Sequence, residues 1–530
     1  MAKELQMACR WMSKIIRSLC VFLLCSTAGW TACSIINESN EQAPKMNDVL
    51  GLLLTEMDSC PKDVFALREL LKQLGLKLDT TMVANRGFHN PSQGSFSLFE
   101  MVSGNAKLTT ATTVSPGEFF FGHFTAVDDA NHLIADQNPV KDSLMIEALA
   151  WDQQKRVFNF YELRGEGEQG QWFYRGDSQD IFADNEWLHR QEDPFHPKFG
   201  RRLRCSGCHG AGGPIMKELD SPHNDWWEPN RKLDFGGREA DKKLAEILET
   251  LVPPDYLAKN VVIGLRKLLD THSSQQQSLS LQEQLRPLFC PVELNLASDS
   301  ATNDENKDEV IIPTGFFVDE RLVDTPITIL VARAFYQLAY KRVGSNFPET
   351  NLEDADHAWL TPVKARSDRM AIDALIARGV IDDKFVADVL GIDMTNPVFS
   401  SIRCQLLRFL PELSFGWREK FIANLVKSSE PVAHELAQNL VNPELTPRFY
   451  RARAQQFLEN CRIKLKNPEN VAELYKLLVQ RRKEIRTSEI SANPRGQILE
   501  PGFRVIFPES EIEDQRKLTL TLDCHVEEEA

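Results

Sequence analysis

The chain has 530 residues, an ordinary apolar share of 42% and a formal net charge of −15. That apolar content is ordinary for a globular protein and calls for neither disorder nor a coiled coil. So acidic a protein has no electrostatic attraction for nucleic acid or an anionic membrane surface, and no nucleic-acid partner is expected.

The chain opens with a cationic start. Lys14 and Arg17 precede the apolar run Leu19-Cys20-Val21-Phe22-Leu23-Leu24-Cys25, and the small residues Ser26-Thr27-Ala28 follow. This order reads as a secretory signal over residues 1–33. The run is too short to span a bilayer comfortably. Met7 and Met12 are alternative starts. Two cleavage readings stay open. One cuts after Ala28. The other treats Thr31-Ala32-Cys33 as the end of a bacterial lipoprotein signal, although Trp30 stands where a Leu-like residue is usual. A lipidated Cys33 would tether the protein to a membrane. The expected location is the periplasm or the outer membrane, as an anchored protein. Lys3, Arg10, Lys14 and Arg17 against Glu4 give the first 33 residues +3, so the remainder carries about −18. Its length fits roughly two to four domains.

Residues 34–45 are mostly polar and read as a linker. Residues 46–193 read as an α/β meander domain. Helices are expected over 47–57 and 63–74, the second closed by Gly75. Strand-like runs follow, among them 118–124, 144–151, 156–163 and 172–175. Asp152-Gln153-Gln154-Lys155 is a polar hairpin turn, and Gly165–Gly170 is another. Trp151, Phe158, Phe160 and Trp172 are the core candidates. Residues 194–238 form an irregular segment rich in Gly, Pro, His and Trp. Residues 239–500 carry helical apolar spacing over 241–251, 257–269, 326–340, 368–378, 382–390, 397–410, 418–426 and 448–465. Gly379 and Gly391 follow two of these runs as C-caps. The acidic stretch 297–309 reads as a solvated loop. Residues 501–530 return to strand character. The fold class is therefore α+β: a β-rich antiparallel N-terminal part, an irregular segment and a mainly α-helical C-terminal part.

The irregular segment holds the motif that carries chemistry. Cys205-Ser206-Gly207-Cys208-His209 spells C-x-x-C-H. Two thiols at that spacing can add to the two vinyl groups of one porphyrin, and the adjacent imidazole can ligate the iron. Rival readings are weaker. With Gly210-Ala211-Gly212 the stretch also fits the C-x-x-C-x-G-x-G zinc repeat of DnaJ-type chaperones, but structural zinc needs four ligands and no second pair follows. A thiol–disulfide site would sit between a strand and a helix, which the Gly- and Pro-rich surroundings do not suggest. Gly165-Glu166-Gly167 with Gly170 spaces like a dinucleotide fingerprint, but it joins two strands and opens no helix.

Cys205, Cys208 and His209 resemble the haem-attachment triplet of c-type cytochromes. The resemblance covers only the segment around the motif, residues 194–238. It implies one covalent haem c, bound by thioethers from Cys205 and Cys208, with His209 as proximal iron ligand. Small monohaem cytochromes usually draw a distal Met from well downstream, and here no Met lies between Met216 and Met370. Met216 is seven residues past His209, a reach of roughly 24 Å when fully extended. His223 is fourteen past it, in polar, turn-like sequence. Both are candidate distal ligands, and an open sixth site or a ligand from another domain stays open beside them. Arg201, Arg202 and Arg204 form a basic cluster whose guanidinium forks suit haem propionates. Trp226 and Trp227 could pack on the porphyrin.

Cys9, Cys20 and Cys25 fall in the leader. With Cys33 given to the signal, Cys60, Cys290, Cys404, Cys461 and Cys524 remain, an odd set. Disulfides are plausible in an oxidising compartment, and buried thiols are the plainer expectation for Cys290 and Cys404 among apolar neighbours. The expected function is electron transfer by an exported cytochrome, with a redox partner protein or a quinol/cytochrome chain as partner. The alternatives are a peroxidase- or reductase-like haem enzyme with an open distal site, and a haem-based redox or gas sensor.

Overall fold

The structure is a computed structural model. It describes residues 33–37, 40–84, 96–109, 112–125, 144–166, 169–184, 205, 209–215, 242–272, 279–291, 294–297, 308–325, 327–343, 361–398, 400–485 and 517–528.

The N-terminal body is built on one seven-stranded sheet. Its strands are β1 (Ile35–Ile36), β2 (Leu76–Ala84), β3 (Phe96–Ala106), β4 (Thr112–Thr125), β5 (Leu144–Asp152), β6 (Val157–Glu166) and β7 (Gln169–Asp177). β2 to β7 form an antiparallel meander in sequence order, and β1 adds to β7 in parallel. The polar turn after Asp152 closes the β5–β6 hairpin, with Trp151 opposite Phe158. Ile35 is fully buried, so the expected linker over 34–45 instead supplies an edge strand.

Alternation along the strands sends side chains to two faces, and both are covered. One face carries Phe119, Phe121, Tyr161, Leu163 and Trp172. Helices α1 (Val49–Glu56), α2 (Val64–Gln73) and α4 (Lys242–Leu248) lie on it. α1 is capped by Asp48 and α2 by Asp63, each accepting from an amide three residues on. Gly75 ends the second with φ +89°, where a side chain would be strained. The opposite face carries Phe120, Leu149, Trp151, Phe158 and Phe160. Its cover is α5 (Pro254–His272), through Leu257, Val261, Leu265 and Leu268, after the short α3 (Ser178–Asp184). Residues 242–272 therefore pack on the sheet. The expected boundary at 238/239 does not separate the sheet body from the helical one.

The helical body follows. It contains α6 (Leu281–Phe289), α7 (Thr314–Phe317), α8 (Arg333–Val343), α9 (Arg366–Ala377), α10 (Asp383–Gly391), α11 (Ser401–Gln405), α12 (Trp417–Lys427), α13 (Pro431–Val441), α14 (Pro447–Lys464) and α15 (Pro468–Ile485). β8 (Leu294–Ala297) pairs with β11 (Thr361–Lys364), and β9 (Glu309–Ile312) with β10 (Ile329–Ala332). The expected helix over 326–340 is thus a strand followed by a helix. The hairpin of β12 (Leu518–Leu520) and β13 (Val526–Glu528) closes the chain. Phe289, Phe317, Phe385, Trp417, Phe421 and Phe457 anchor the core of this body.

Three disulfides join Cys33 to Cys60, Cys290 to Cys404 and Cys461 to Cys524. Two expectations change. Cys290 and Cys404 are bonded, not free. The sulfur of Cys33 cannot hold both Cys60 and a lipid thioether, so the expected tether through Cys33 gives way to the disulfide. Cys33 also belongs to the folded body, since it is buried against it. The Cys290–Cys404 bond closes a long loop of separation 114. Replacing both cysteines by Ser should lower unfolding stability by about 2–4 kcal/mol, read from the denaturant midpoint.

One buried ionic cluster ties α2 to the sheet. Glu100 is fully buried and paired with Arg68; it accepts from Thr80 at 2.6 Å and lies 3.1 Å from His123 Nε2. Burial alone would raise the Glu100 carboxyl, but the His123 and Thr80 hydrogen bonds and the Arg68 charge outweigh it and hold it below its ordinary value. Burial pushes His123 down. Its Nδ1 has no hydrogen-bond partner among the described residues, which suits a bare lone pair and not a second N–H. His123 is therefore neutral and donates from Nε2. Below its ordinary value of 6.5 the unfolded chain takes up a proton that the fold refuses, so stability falls as pH drops through that point. It falls again below 4.5, where unfolded Glu100 protonates first. H123Q should flatten the first part of this slope in urea titrations run across pH. Arg68→Ala, which strands a buried carboxylate, should cost about 3–5 kcal/mol.

Candidate functional site

Cys205 and His209 lie on the sheet face that α5 covers. Cys205 is buried among Phe158, Phe160, Leu265 and Leu268, and it is in no disulfide. The His209 amide donates to the Cys205 carbonyl at 2.9 Å, which holds the two residues together. The next turn is closed by the Gly212 amide donating to the His209 carbonyl at 2.8 Å.

The His209 ring is buried and oriented. Its Nδ1 lies 2.8 Å from the Gly213 carbonyl. A carbonyl only accepts, so Nδ1 carries the hydrogen. In the neutral ring the lone pair is then on Nε2. A backbone carbonyl on the far nitrogen is the usual support of a metal-ligating imidazole. Phe160 meets the ring edge-on, with centroids 5.2 Å apart.

Close backbone approach holds this loop. Gly212 has φ +71°, and a Cβ there would stand 2.5 Å from the Ser178 carbonyl oxygen. Ser178 is itself fixed, since its Oγ accepts from the Phe158 amide at 2.9 Å. A Cβ on Gly264 of α5 would meet the Gly117 carbonyl oxygen at 2.7 Å and Pro214 Cγ at 3.0 Å. The helix is thereby drawn onto both the sheet and the loop.

Charged groups share this sheet face. Glu162 accepts from Arg164 Nε at 3.1 Å and from Arg175 Nη2 at 2.8 Å, and all three are buried. Carboxylate oxygens of Glu147 and Glu162 and the Cys205 sulfur lie within 4.8 Å of one another. Three donors fall short of a structural zinc set, and the two guanidinium groups already neutralise Glu162. The cluster does not make a convincing metal site.

A cleft opens beside the loop. Ala211 lines it together with Leu265, Leu268 and His272 of α5, Pro287 of α6 and Leu375 of α9. Glu283 and the exposed Arg378 line it as well, and the buried Asp368 lies in its wall. Burial pushes His272 down to about 4, so its imidazole is neutral at pH 7.

The structure thus brings Cys205 and His209 into one turn. Cys208, Arg201, Arg202, Arg204, Met216 and His223 lie outside the described residues, as do Trp226 and Trp227. Three features were not read from sequence as part of the site: Phe160 against His209, the Arg164–Glu162–Arg175 cluster, and His272. His272 does carry a signal, because it falls at helical spacing from Leu265 and Leu268.

The close approach at Gly212 makes a test of the loop. G212A adds a strained φ and a clash with Ser178, and should lower stability by at least about 1–2 kcal/mol in thermal or urea unfolding.

No family model, curated protein or solved structure matches this chain, so the site stands on its own geometry.

Proposed function

We propose that the chain is an exported c-type cytochrome that holds one covalent haem and transfers electrons. Cys205 and Cys208 would carry the thioethers, and His209 Nε2 would ligate the iron. The observation that carries the reading is the His209 ring: its Nδ1 hydrogen is committed to the Gly213 carbonyl, the kind of support that a metal-ligating imidazole usually has.

Two further observations support it. Six cysteines pair into three disulfides, and Cys205 of the C-x-x-C-H pair is left out of that set. Disulfides of this number suit an oxidising compartment, as haem attachment to an exported chain does. Phe158, Phe160, Leu265 and Leu268 give Cys205 apolar neighbours that could meet a porphyrin edge, beside the carboxylates of Glu147 and Glu162. Bound there, the haem would supply the one-electron couple, and the protein would set its potential through ligand and burial. The partner would be a redox protein or a quinol/cytochrome chain.

The test is haem staining of the exported chain on a denaturing gel. The parent chain should stain, and a Cys205→Ala, Cys208→Ala double variant should not. A parent chain with no covalent haem, or a double variant that keeps it, would overturn the reading. Electron transfer further requires a reversible one-electron wave in voltammetry and a reduced spectrum that carbon monoxide leaves unchanged. A carbon monoxide adduct would instead favour the haem enzyme or sensor.

A further inference from the structure

The cleft beside the His209 loop lies where the two bodies meet, since α5 of the sheet body contacts α9 of the helical body. Leu265, Leu268 and Leu269 of α5 supply one apolar wall, and Leu279, Pro287 and Leu375 come from the helical body. One end is polar. His272, the last residue of α5, stands there with Glu283 of α6 and Arg378, the C-cap residue of α9. The charges of Glu283 and Arg378 act on the His272 ring in opposite directions, so the three groups are neighbours. Burial outweighs both and keeps the imidazole neutral at pH 7. Glu283 commits one oxygen to the Ser280 amide, and Arg378 commits Nε to the Ala374 carbonyl. A carboxylate has a second oxygen and a guanidinium two terminal nitrogens, so this end offers both an acceptor and donors. The buried Asp368 lies elsewhere in the wall, about 15 Å from Arg378 along α9.

We propose that this cleft is a binding site for a small uncharged molecule with an apolar body and one hydroxyl or carbonyl end. The lining selects against ions. A cation meets Arg378, an anion meets Glu283 and Asp368, and either has to leave water for aliphatic walls. A neutral polar end escapes both repulsions and still finds a donor or an acceptor. The cleft is small, so the occupant is about one ring in size. Ligand sites are typically concave and mostly apolar, with a few convergent polar groups, and they favour junctions between domains. Leu265 and Leu268 also lie against Gly213, so an occupant would bear on the residue whose carbonyl orients His209. The proposal goes beyond the haem reading and does not depend on it.

Calorimetric titration of the full chain at pH 7 tests it with four one-ring probes: p-cresol, toluene, benzoate and benzylamine. p-Cresol should bind, and toluene should bind at least about threefold more weakly for want of the hydrogen bond. Benzoate and benzylamine should give no binding at the same concentrations. A374F fills the cleft from a half-buried position on α9 and should abolish p-cresol binding. A371F does the same from one turn earlier, and urea unfolding shows which of the two keeps its fold. H272F should bring p-cresol down to the affinity of toluene and leave toluene unchanged. Equal affinities of p-cresol and toluene in the parent chain overturn the proposal. So does an ion that binds as tightly as p-cresol, or p-cresol binding that survives in a folded A374F or A371F. A parent chain that binds none of the four probes overturns it outright. Haem stain enters none of these outcomes, so the two readings fail separately.

Discussion

A sheet that lines both of its faces with aromatic and aliphatic side chains has to be covered twice, and the site lies under the second cover. Tyr161, Leu163 and Trp172 on one face meet α1, α2 and α4. Phe158 and Phe160 on the other meet α5 and Cys205. Apolar burial of this kind is the main favourable term in the fold. Cys205 and the turn at His209 are therefore part of what keeps water off the sheet. Anything that lifted His209 would also uncover the Phe160 ring it packs on.

The contacts that seat the motif are mostly backbone contacts, which accounts for the glycines around it. Gly212 takes a left-handed conformation against Ser178, and Gly264 lets α5 approach Gly117 and Pro214. Neither position has room for a Cβ. The result is a turn whose carbonyl, at Gly213, meets the His209 ring in a fixed place. A group that fixes the tautomer and orientation of an imidazole tunes any metal site that imidazole serves. Here it is built from main chain, which a side-chain substitution cannot remove.

The meander was legible because its signals are local. The polar turn at Asp152–Lys155 sits between two aromatic-rich runs, and Trp151, Phe158, Phe160 and Trp172 are all buried as their pattern implies. Gly75 and Gly379 end helices with positive φ. Gly391 does not; it closes α10 inside the helix, where the Tyr450 ring packs so near that a Cβ would collide. Residues 326–340 read as one helix because their apolar spacing suits one, yet β10 takes Ile329–Ala332 to pair with β9. Such pairing is a tertiary choice that no local window contains. α13 and α15 went unread although Pro431 and Pro468 stand at their first residues, where proline is favoured. The cysteines show the same divide. The C-x-x-C-H spacing of Cys205, Cys208 and His209 is a local pattern, whereas the partner of Cys33 depended on which segments meet in space. Assigning Cys33 to the leader made the remaining count odd and hid the pairing.

The helix α5 links these levels. Its apolar stripe packs on the sheet, its Gly264 admits the loop, and its last turn reaches the helical body through contacts with α9. The His209 ring is thereby referred to one rigid element, through Gly213 against Leu265 and Leu268. The same helix ends at the cleft it shares with α6 and α9, so the turn that orients His209 and the wall of that cleft are held by one apolar stripe. A change in how α5 seats on the sheet would therefore be felt at both places, because packed elements transmit displacement and do not absorb it.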